Sequence, residues 1–349
     1  MHSTIAVDIA KSVFELAISR SPGTVAERHR LTRAQFARFF ADREVSKVLM
    51  EACSSAHFWG RHISSLGHQV VLLPPHHVRR YREQGRKTDR VDAKALLEAY
   101  RNEEILPVPV KTVEQHNLAA LHRLRSRWMA TRTARLNTLR GLLRELGLVI
   151  PAGSHRVVSQ VRVWIADGGP EIPTALRDVL REACDELREL EMRVALVEKQ
   201  LKALLRQTPA IAELKGIPGI GLLTATALFG FVGDAKRFDS GRRFASYLGL
   251  TPRENSSGLR RRLGSISKKG DTYLRMLLIH GARSVLVRAP LAKNPSRVAL
   301  WALRVLQRRG HNVAAVALAN KLARIAWATW SRGVRFDPRL PLQGEQANA

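Results

Sequence analysis

Two long and uninterrupted helical patterns constrain the fold of this chain most strongly. One runs from Glu114 to Leu146 and the other from Pro173 to Arg206, and both repeat large apolar residues at heptad-like intervals. This spacing is typical of helices that pack along one stripe, so it predicts a long helical arm formed by an antiparallel coiled coil. An ordinary helical bundle would show the same pattern, and the sequence leaves both open. We assign residues 107–208 to this arm.

The segment before the arm alternates strand and helix patterns. The predicted strands are Thr4–Ile9, Val13–Ser19, Val25–Leu31, Ser46–Glu51 and Gln69–Leu73, and the predicted helices are Leu31–Asp42, Ala56–Leu66 and Asp89–Tyr100. Strands first and strand–helix alternation afterwards indicate an α/β domain with a mixed sheet. We place this domain at residues 1–106.

The segment after the arm, residues 209–338, is predicted to be mainly α-helical with glycine-rich breaks, and the polar tail 339–349 to be disordered. Its apolar stretch Ile217–Gly233 contains Pro218 and is shorter than the roughly 20 residues that span a membrane. We interpret it as a glycine turn followed by a buried helix. His280 lies in another apolar helical pattern, Tyr273–Val287, and is expected in the core.

The charge of the chain indicates a polyanionic partner. The sequence has 58 Lys and Arg against 30 Asp and Glu, a net charge of +28. Such an excess repels itself unless phosphates neutralise it, so DNA or RNA is expected, although a generically basic protein has the same balance. Cys53 and Cys184 have no partners at zinc spacing and demand no disulfide. With no signal peptide visible, we expect a cytoplasmic protein without a membrane partner.

Four acidic residues stand out in the α/β segment. Asp8 lies within the first predicted strand, Glu51 ends a later one, and Asp89 and Asp92 lie three residues apart at the start of a helix. Each alone has an ordinary explanation as a strand-end or helix-capping residue. Together they can meet at one edge of a sheet, where four carboxylates would repel one another without a cation. We therefore predict a Mg²⁺ site formed by all four.

Two basic regions are candidates for nucleic-acid contact. A charge run precedes Asp89 and contains Arg79, Arg80, Arg82, Arg86 and Lys87. A second region combines a glycine turn, which resembles a helix-hairpin-helix, with a basic loop that is expected to be flexible and to enter a helix near Asp271. The candidates there are Gly219, Gly221, Arg253, Arg260, Arg261, Arg262, Lys268 and Lys269. From composition alone, a serine in this loop could attack a phosphate held by the surrounding cations, but the composition favours serines that only donate hydrogen bonds to a bound phosphate.

These motifs together resemble the DEDD-type insertion-sequence transposases. The resemblance rests on Val7-Asp8-Ile9-Ala10-Lys11, Met50-Glu51-Ala52-Cys53 and Lys87-Thr88-Asp89-Arg90-Val91-Asp92-Ala93-Lys94, and continues through Gly249-Leu250-Thr251-Pro252 and Ser257-Gly258. It implies an N-terminal domain similar to Holliday-junction resolvases of the ribonuclease H fold. Pro74-Pro75 replaces the Asn-Pro dipeptide usual in this family.

The resemblance also implies a mechanism. The serine before the glycine, Ser257 here, would be the nucleophile that forms a phosphoserine link to DNA, and the adjacent Ser256 is the alternative position. Members of this family use a structured guide RNA and assemble as dimers and tetramers, in which the serine of one subunit completes the acidic site of another. Two other functions remain open: a metal-dependent junction nuclease in which Ser257 only binds phosphate, and a non-catalytic nucleic-acid-binding protein.

Overall fold

The computed structural model describes residues 3–21, 24–82, 89–166, 172–258 and 260–338, without the side chains of Asp89 and Arg90. The chain forms two compact units. The first contains Met1–His116 and Val232–Asp239, and the second contains Asn117–Phe231 and Ser240–Ala349. The predicted divisions at residues 106 and 208, and the predicted disorder of 339–349, stay predictions.

The first unit contains a five-stranded mixed sheet. Its strands are β1 (Thr4–Ile9), β2 (Val13–Ser19), β3 (Glu27–Thr32), β4 (Lys47–Glu51) and β5 (Gln69–Leu73). They are arranged in the order β3-β2-β1-β4-β5. β2 is antiparallel to β1 and β3, whereas β4 is parallel to β1 and β5. The mixed sheet predicted from the sequence is thereby confirmed.

Helices cover both faces of this sheet. They are α1 (Arg33–Phe39), α2 (Ala56–Ser65), α3 (Pro75–Val78) and α4 (Asp89–Tyr100), and a short 3₁₀ turn, Arg79–Tyr81, follows α3. On one face, Phe14 of β2 stacks on Phe36 of α1 with ring centroids 4.3 Å apart, and Trp59 of α2 meets both rings edge-on. Helix α4 packs on the opposite face.

The alternation of side chains along β1 and β4 determines what each face receives. Val7 and Met50 belong to the core beneath α1 and α2. Ala6 and Leu49 pack with α4 instead. Side chains two residues apart on a strand point to the same face. Asp8, two positions after Ala6, and Glu51, two positions after Leu49, therefore face α4.

The second unit begins with the helical arm, whose first helix starts four residues earlier, within the first unit. It consists of α5 (Val113–Glu145), α6 (His155–Ile165) and α7 (Thr174–Gln207). Ion pairs join Arg125 to Glu198, Arg132 to Glu191 and Arg135 to Glu186, at 2.7, 2.5 and 2.9 Å. In these pairs the residue numbers on α7 decrease as those on α5 increase. The two helices are therefore antiparallel, as predicted. Their coiled-coil geometry stays a prediction.

A helical bundle and a small β-hairpin form the rest of the second unit. The elements are α8 (Pro209–Lys215), α9 (Leu222–Val232), α10 (Gly241–Tyr247), β6 (Pro252–Glu254), β7 (Leu263–Ile266), α11 (Thr272–Arg288), α12 (Arg297–Arg309) and α13 (His311–Arg332), with a 3₁₀ turn at Ala289–Leu291. Helix α13 packs against α10, α11 and α12. Among the described helices, none combines the length and apolar character needed to cross a bilayer.

A buried polar network connects α5, α9 and α11. His122 is fully buried, and its Nε2 and Nδ1 atoms lie 2.9 Å from Thr226 Oγ1 and 3.0 Å from Tyr273 Oη. Thr226 donates its own proton to the carbonyl of Leu222, so it accepts from His122 Nε2–H, and Nδ1 is left to accept from Tyr273. Burial, together with the nearby Arg125, lowers the pKa of His122 to about 4.

Two expectations about the chain were wrong, and one helix was missed. The basic loop expected to be flexible forms the β6–β7 hairpin, held by backbone hydrogen bonds. Helix α6 was not anticipated; its buried Val157, Val161 and Ile165 close the hydrophobic core of the arm. His280 is exposed, because α11 buries Leu274, Leu278 and Ala282 on another face.

Candidate active site

The sheet brings two of the predicted acids together at one edge. β1 and β4 are in parallel register with Val7 opposite Met50, so Asp8 and Glu51 follow as neighbours. Both side chains face α4, from which Asp92 approaches in its first turn. The residue Asp92 is only 9% exposed. Asp8, Glu51 and Asp92 therefore share one side of the sheet, while the side chain of Asp89 lies outside the described structure.

One arginine is the shared counter-ion of two of these carboxylates. Arg82 donates from Nη2 to Glu51 Oε1 at 2.7 Å, and its Nε lies 2.8 Å from Asp92 Oδ1. The second contact is an ion pair and not a hydrogen bond. Its two atoms, Arg82 Nε and Asp92 Oδ1, are both buried and have no hydrogen-bond partner among the described residues. The guanidinium thus serves as a counter-ion between a strand end and a helix start. Sequence reasoning assigned Arg82 to the nucleic-acid contacts and missed this position.

The surroundings of the site favour neutral forms of its ionisable groups. Burial raises the pKa of Glu51, Arg82 opposes this rise, and the charge of Asp92 adds to it. Burial also raises the pKa of the Cys53 thiol, and the carboxylates of Glu51 and Asp8 raise it further. A cation placed here would favour the charged carboxylates and stabilise the site.

The donor atoms suit a hard divalent cation such as Mg²⁺, which prefers carboxylate oxygens. Asp92 Oδ1, buried without a hydrogen bond, is an acceptor that a cation could satisfy. Among the described residues, however, no three His, Cys, Asp or Glu side chains are gathered as a metal cluster. Arg82 holds Glu51 and Asp92 in their present positions, so metal binding would require it to move or to share these oxygens.

The predicted charge run lies beside this edge. Arg79 and Arg80 occupy the 3₁₀ turn and are exposed, so phosphates could reach both. The next predicted members, Arg86 and Lys87, lie outside the described residues.

Ser257 is located at the tip of the β6–β7 hairpin, in the second unit. Its backbone exchanges hydrogen bonds with Arg260, at 3.3 and 3.1 Å, to close the tip. Gly258 follows with φ +54°, a conformation that a glycine adopts without strain in tight hairpin turns. The side chain of Ser257 is exposed, and its hydroxyl forms no hydrogen bond with any residue that the structure describes.

The adjacent serine is in a different situation. Ser256 Oγ donates to Glu254 Oε1 at 2.8 Å and accepts from the backbone N–H of Arg262 at 3.1 Å. These bonds link the two strands of the hairpin and occupy the hydroxyl. The arrangement favours Ser257 over Ser256 as the residue available to a substrate.

Cations surround the hairpin. Arg253, Arg260, Arg261, Arg262, Lys268 and Lys269 are all exposed. Arg261 lies 3.3 Å from Glu254, and Arg253 donates to the carbonyl of Ser267 at 3.4 Å. This concentration of exposed positive charge is suited to holding a phosphodiester near Ser257.

The base of the hairpin is held by residues that sequence reasoning missed. Arg275 is 8% exposed and donates to the carbonyls of Leu248, before the hairpin, and Lys269, after it. Asn320 of α13 donates to the carbonyl of Leu250 at 3.1 Å. The only sequence signal was an arginine within an apolar helical pattern.

The glycine turn between α8 and α9 packs largely against its own unit. Gly219 has φ +88°. Its carbonyl oxygen lies so close to Gly281 of α11 that a Cβ atom added to Gly281 would be 1.9 Å from this oxygen. Gly221 is exposed, and no atom lies within 4 Å of the place where its Cβ would be. Only Gly221 therefore leaves open space for a phosphate, and Gly219 serves close helix packing.

An α/β unit with carboxylates at one sheet edge, and a second unit with an exposed serine among cations, are features suited to a protein that binds nucleic-acid phosphates. The sequence model of a family described as "Transposase", of the DEDD type found in IS110, matches residues 5–147. A second, described as "Transposase IS116/IS110/IS902 family", matches residues 211–297.

Curated relatives agree over most of the chain. It is 44% identical to "Probable family 20 transposase" of Pseudomonas aeruginosa, over 96% of this chain and 99% of the relative. It is 37% identical to "Transposase for insertion sequence element IS1111A" of Coxiella burnetii, over 94% and 89%. For "Transposase for insertion sequence element IS1328" of Yersinia enterocolitica, the identity is 36% over 95% and 98%. The chain belongs to the IS110/IS116 family of insertion-sequence transposases.

Proposed function

We propose that this transposase cuts and rejoins DNA through a covalent intermediate on Ser257. The supporting observation is the contrast between the two hairpin serines, since Ser256 is engaged on both sides and Ser257 has no described hydrogen-bond partner. A nucleophile needs an accessible oxygen, and the surrounding arginines would stabilise charge on the attacked phosphate.

The chemistry of this step conserves the number of phosphoester bonds. Ser257 Oγ loses its proton to a base or to water and bonds to the phosphorus, while the bond from phosphorus to one deoxyribose oxygen breaks. The departing oxygen takes up a proton. The hydroxyl of another strand then displaces Ser257, which recovers its proton, and the strands are exchanged without an oxidant or an external energy source.

We further propose that Asp8, Glu51, Asp89 and Asp92 hold a divalent cation, with Mg²⁺ as the physiological ion. When bound, such an ion would polarise a phosphodiester and stabilise negative charge on its oxygens. The order and directions of the five strands support the expected ribonuclease H-like, resolvase-like fold of this unit. Without the ion, Arg82 is the residue that keeps Glu51 and Asp92 in position.

The proposed partners are the element ends, the target DNA and a structured guide RNA, bound by a dimer or tetramer. Support comes from the net charge of +28 and from the exposed Arg79 and Arg80. The arm is a weaker candidate for RNA binding than its arginine content indicated, because α7 pairs three arginines of α5 with glutamates.

A denaturing gel tests the proposal. Wild-type protein is incubated with element-end DNA, flanking RNA and Mg²⁺, and covalent protein–DNA adducts are compared with those of Ser257→Ala, Ser256→Ala and Asp8→Ala. We expect the adduct to be lost in Ser257→Ala and Asp8→Ala and retained in Ser256→Ala, the matched control one residue away. Retention in Ser257→Ala would contradict the proposed nucleophile. Cleavage by the wild type without any adduct would identify a metal-dependent nuclease in which Ser257 only binds phosphate.

A further inference from the structure

The two strands of the β6–β7 hairpin stay in one register up to its tip. Ser257 and Arg260 exchange two backbone hydrogen bonds, and the N–H of Asn255 donates to the carbonyl of Arg262 at 2.9 Å. Residues paired across two strands point to the same face, and so do residues two positions apart on one strand. Asn255, Ser257, Arg260 and Arg262 therefore share one face of the tip, which we call the serine face.

The opposite face carries the residues between them, and their contacts agree with this assignment. Glu254 pairs with Leu263 in the same register. Its Oε1 accepts from Ser256 Oγ at 2.8 Å and lies 3.3 Å from Arg261 Nε. Arg261 thus has a counter-ion within the hairpin. Glu254, Ser256 and Arg261 form a brace between the strands on the side away from Ser257.

The serine face contains two arginines and no acid. Arg260 and Arg262 are exposed, and neither guanidinium is paired with a carboxylate in the part of the chain that the structure describes. Residues two positions apart on a strand are separated by about 6.6 Å, so the two like charges repel each other. One phosphate group between them would relieve this repulsion, because it can accept a charge-assisted hydrogen bond of about 2.8 Å from each side.

The register also brings this cation pair next to the serine. Ser257 and Arg260 form a hydrogen-bonded pair, in which the two Cα atoms are about 5.5 Å apart. An arginine side chain is long enough to cross this distance, so a phosphate held by Arg260 lies within reach of Ser257 Oγ. Arg262 approaches the same place from the diagonal position.

We infer that Arg260 and Arg262 bind the phosphodiester that Ser257 attacks, whereas Arg261 belongs to the brace and does not contact the substrate. Three consecutive arginines, alike in sequence, thereby have two different roles. The inference rests on the proposed function for the attack by Ser257, but the binding of a phosphate on the serine face does not require that attack. The experiment therefore measures both.

The first measurement is the rate of adduct formation by full-length protein. Three substitutions remove the same charge from neighbouring residues: Arg260→Gln, Arg262→Gln and the matched control Arg261→Gln. Each protein is mixed with excess element-end DNA, flanking RNA and Mg²⁺, and the adduct is followed on denaturing gels. Arg260→Gln and Arg262→Gln should each slow the reaction by about 100-fold, since each removes a donor to the charge of the transition state. Arg261→Gln should change the rate by less than about fivefold, because an exposed ion pair contributes little and backbone bonds still close the tip.

The second measurement separates this inference from the role of Ser257. The same three substitutions are placed in Ser257→Ala protein, and the affinity for fluorescent element-end DNA is measured at several salt concentrations. Each lost phosphate contact lowers the slope of log affinity against log salt by about 0.9, so Arg260→Gln and Arg262→Gln should each lose about 0.9 and Arg261→Gln much less. This pattern supports the phosphate site even if the wild type forms no adduct. Equal slopes in the three variants, or a loss of rate in Arg261→Gln as large as in the other two, would overturn the inference.

Discussion

Replacing Gly281 by alanine should destabilise the second unit, although alanine is the better helix former. A Cβ at this position of α11 would lie 1.9 Å from the carbonyl oxygen of Gly219 and 3.0 Å from its carbonyl carbon. Both are backbone atoms, so no rotamer change relieves the overlap, and the glycine turn must move away from α11. Overpacking of this kind costs about 1–3 kcal/mol, and the severity of the overlap favours the upper end.

Gly141 offers a control for the same substitution. It also lies inside a long helix, α5, but it is exposed and no atom lies within 4 Å of its virtual Cβ. Gly141→Ala should therefore stabilise the protein by about 1 kcal/mol, the difference in helix propensity. In Gly281→Ala the same gain in helix propensity offsets only part of the cost of the steric overlap. We therefore expect the free energy of unfolding to fall by about 2 kcal/mol.

The assay is urea denaturation followed by circular dichroism, with a thermal scan alongside. A loss of about 2 kcal/mol corresponds to a fall in Tm of roughly 4–8 °C for a body of this size, while Gly141→Ala should raise Tm by a few degrees. If Gly281→Ala were as stable as Gly141→Ala, the close approach between α11 and the glycine turn would be refuted. The packing role given to Gly219 would then have to be withdrawn.

Four further predictions test other parts of the structure. Because His122 is held neutral with a pKa of about 4 against an ordinary 6.5, its contribution to stability is complete above about pH 6.5 and is lost as the pH falls towards 4. The loss amounts to about 3 kcal/mol, so urea midpoints measured across this range should fall less for His122→Gln than for the wild type. Arg82→Gln should destabilise the first unit by about 1–3 kcal/mol, because Glu51 and Asp92 lose their counter-ion, and Mn²⁺ should restore part of the thermal stability; no response to Mn²⁺ would argue against the metal site. Gly249→Ala should cost about 1–3 kcal/mol and abolish adduct formation, since its Cβ would lie 2.1 Å from the carbonyl oxygen of Lys269 at φ +71°, and an unchanged urea midpoint would contradict the tight hairpin base. Arg132→Ala should change the urea midpoint by less than about 1 kcal/mol, because Glu191 is half exposed, and a larger loss would mean that the arm depends on this pair.

The acidic edge was the most predictable part of the site. Alternating apolar residues define β1 and β4, and the period of two fixes the face on which Asp8 and Glu51 lie. The counter-ion Arg82 was not predictable, because an arginine within a basic run has no sequence signal that separates an inward from an outward side chain.

The serine hairpin, in contrast, could not be predicted from the sequence. β6 and β7 contain three and four residues and are almost wholly exposed, so they have no apolar alternation by which a strand is recognised. Their geometry depends instead on tertiary contacts at the base, made by Arg275 and Asn320 from helices distant in sequence. Such contacts become visible only once the helices are packed.

The length of helix α7 sets a scale for whatever the second unit binds. Its 34 residues extend for about 51 Å at 1.5 Å per residue, which is the rise of about 15 base pairs of duplex. A partner that touches both the tip of the arm, near the exposed Val179, and the far end of α7 must therefore be at least one and a half helical turns long. A shorter oligonucleotide can occupy one end of this helix but cannot reach both ends at once.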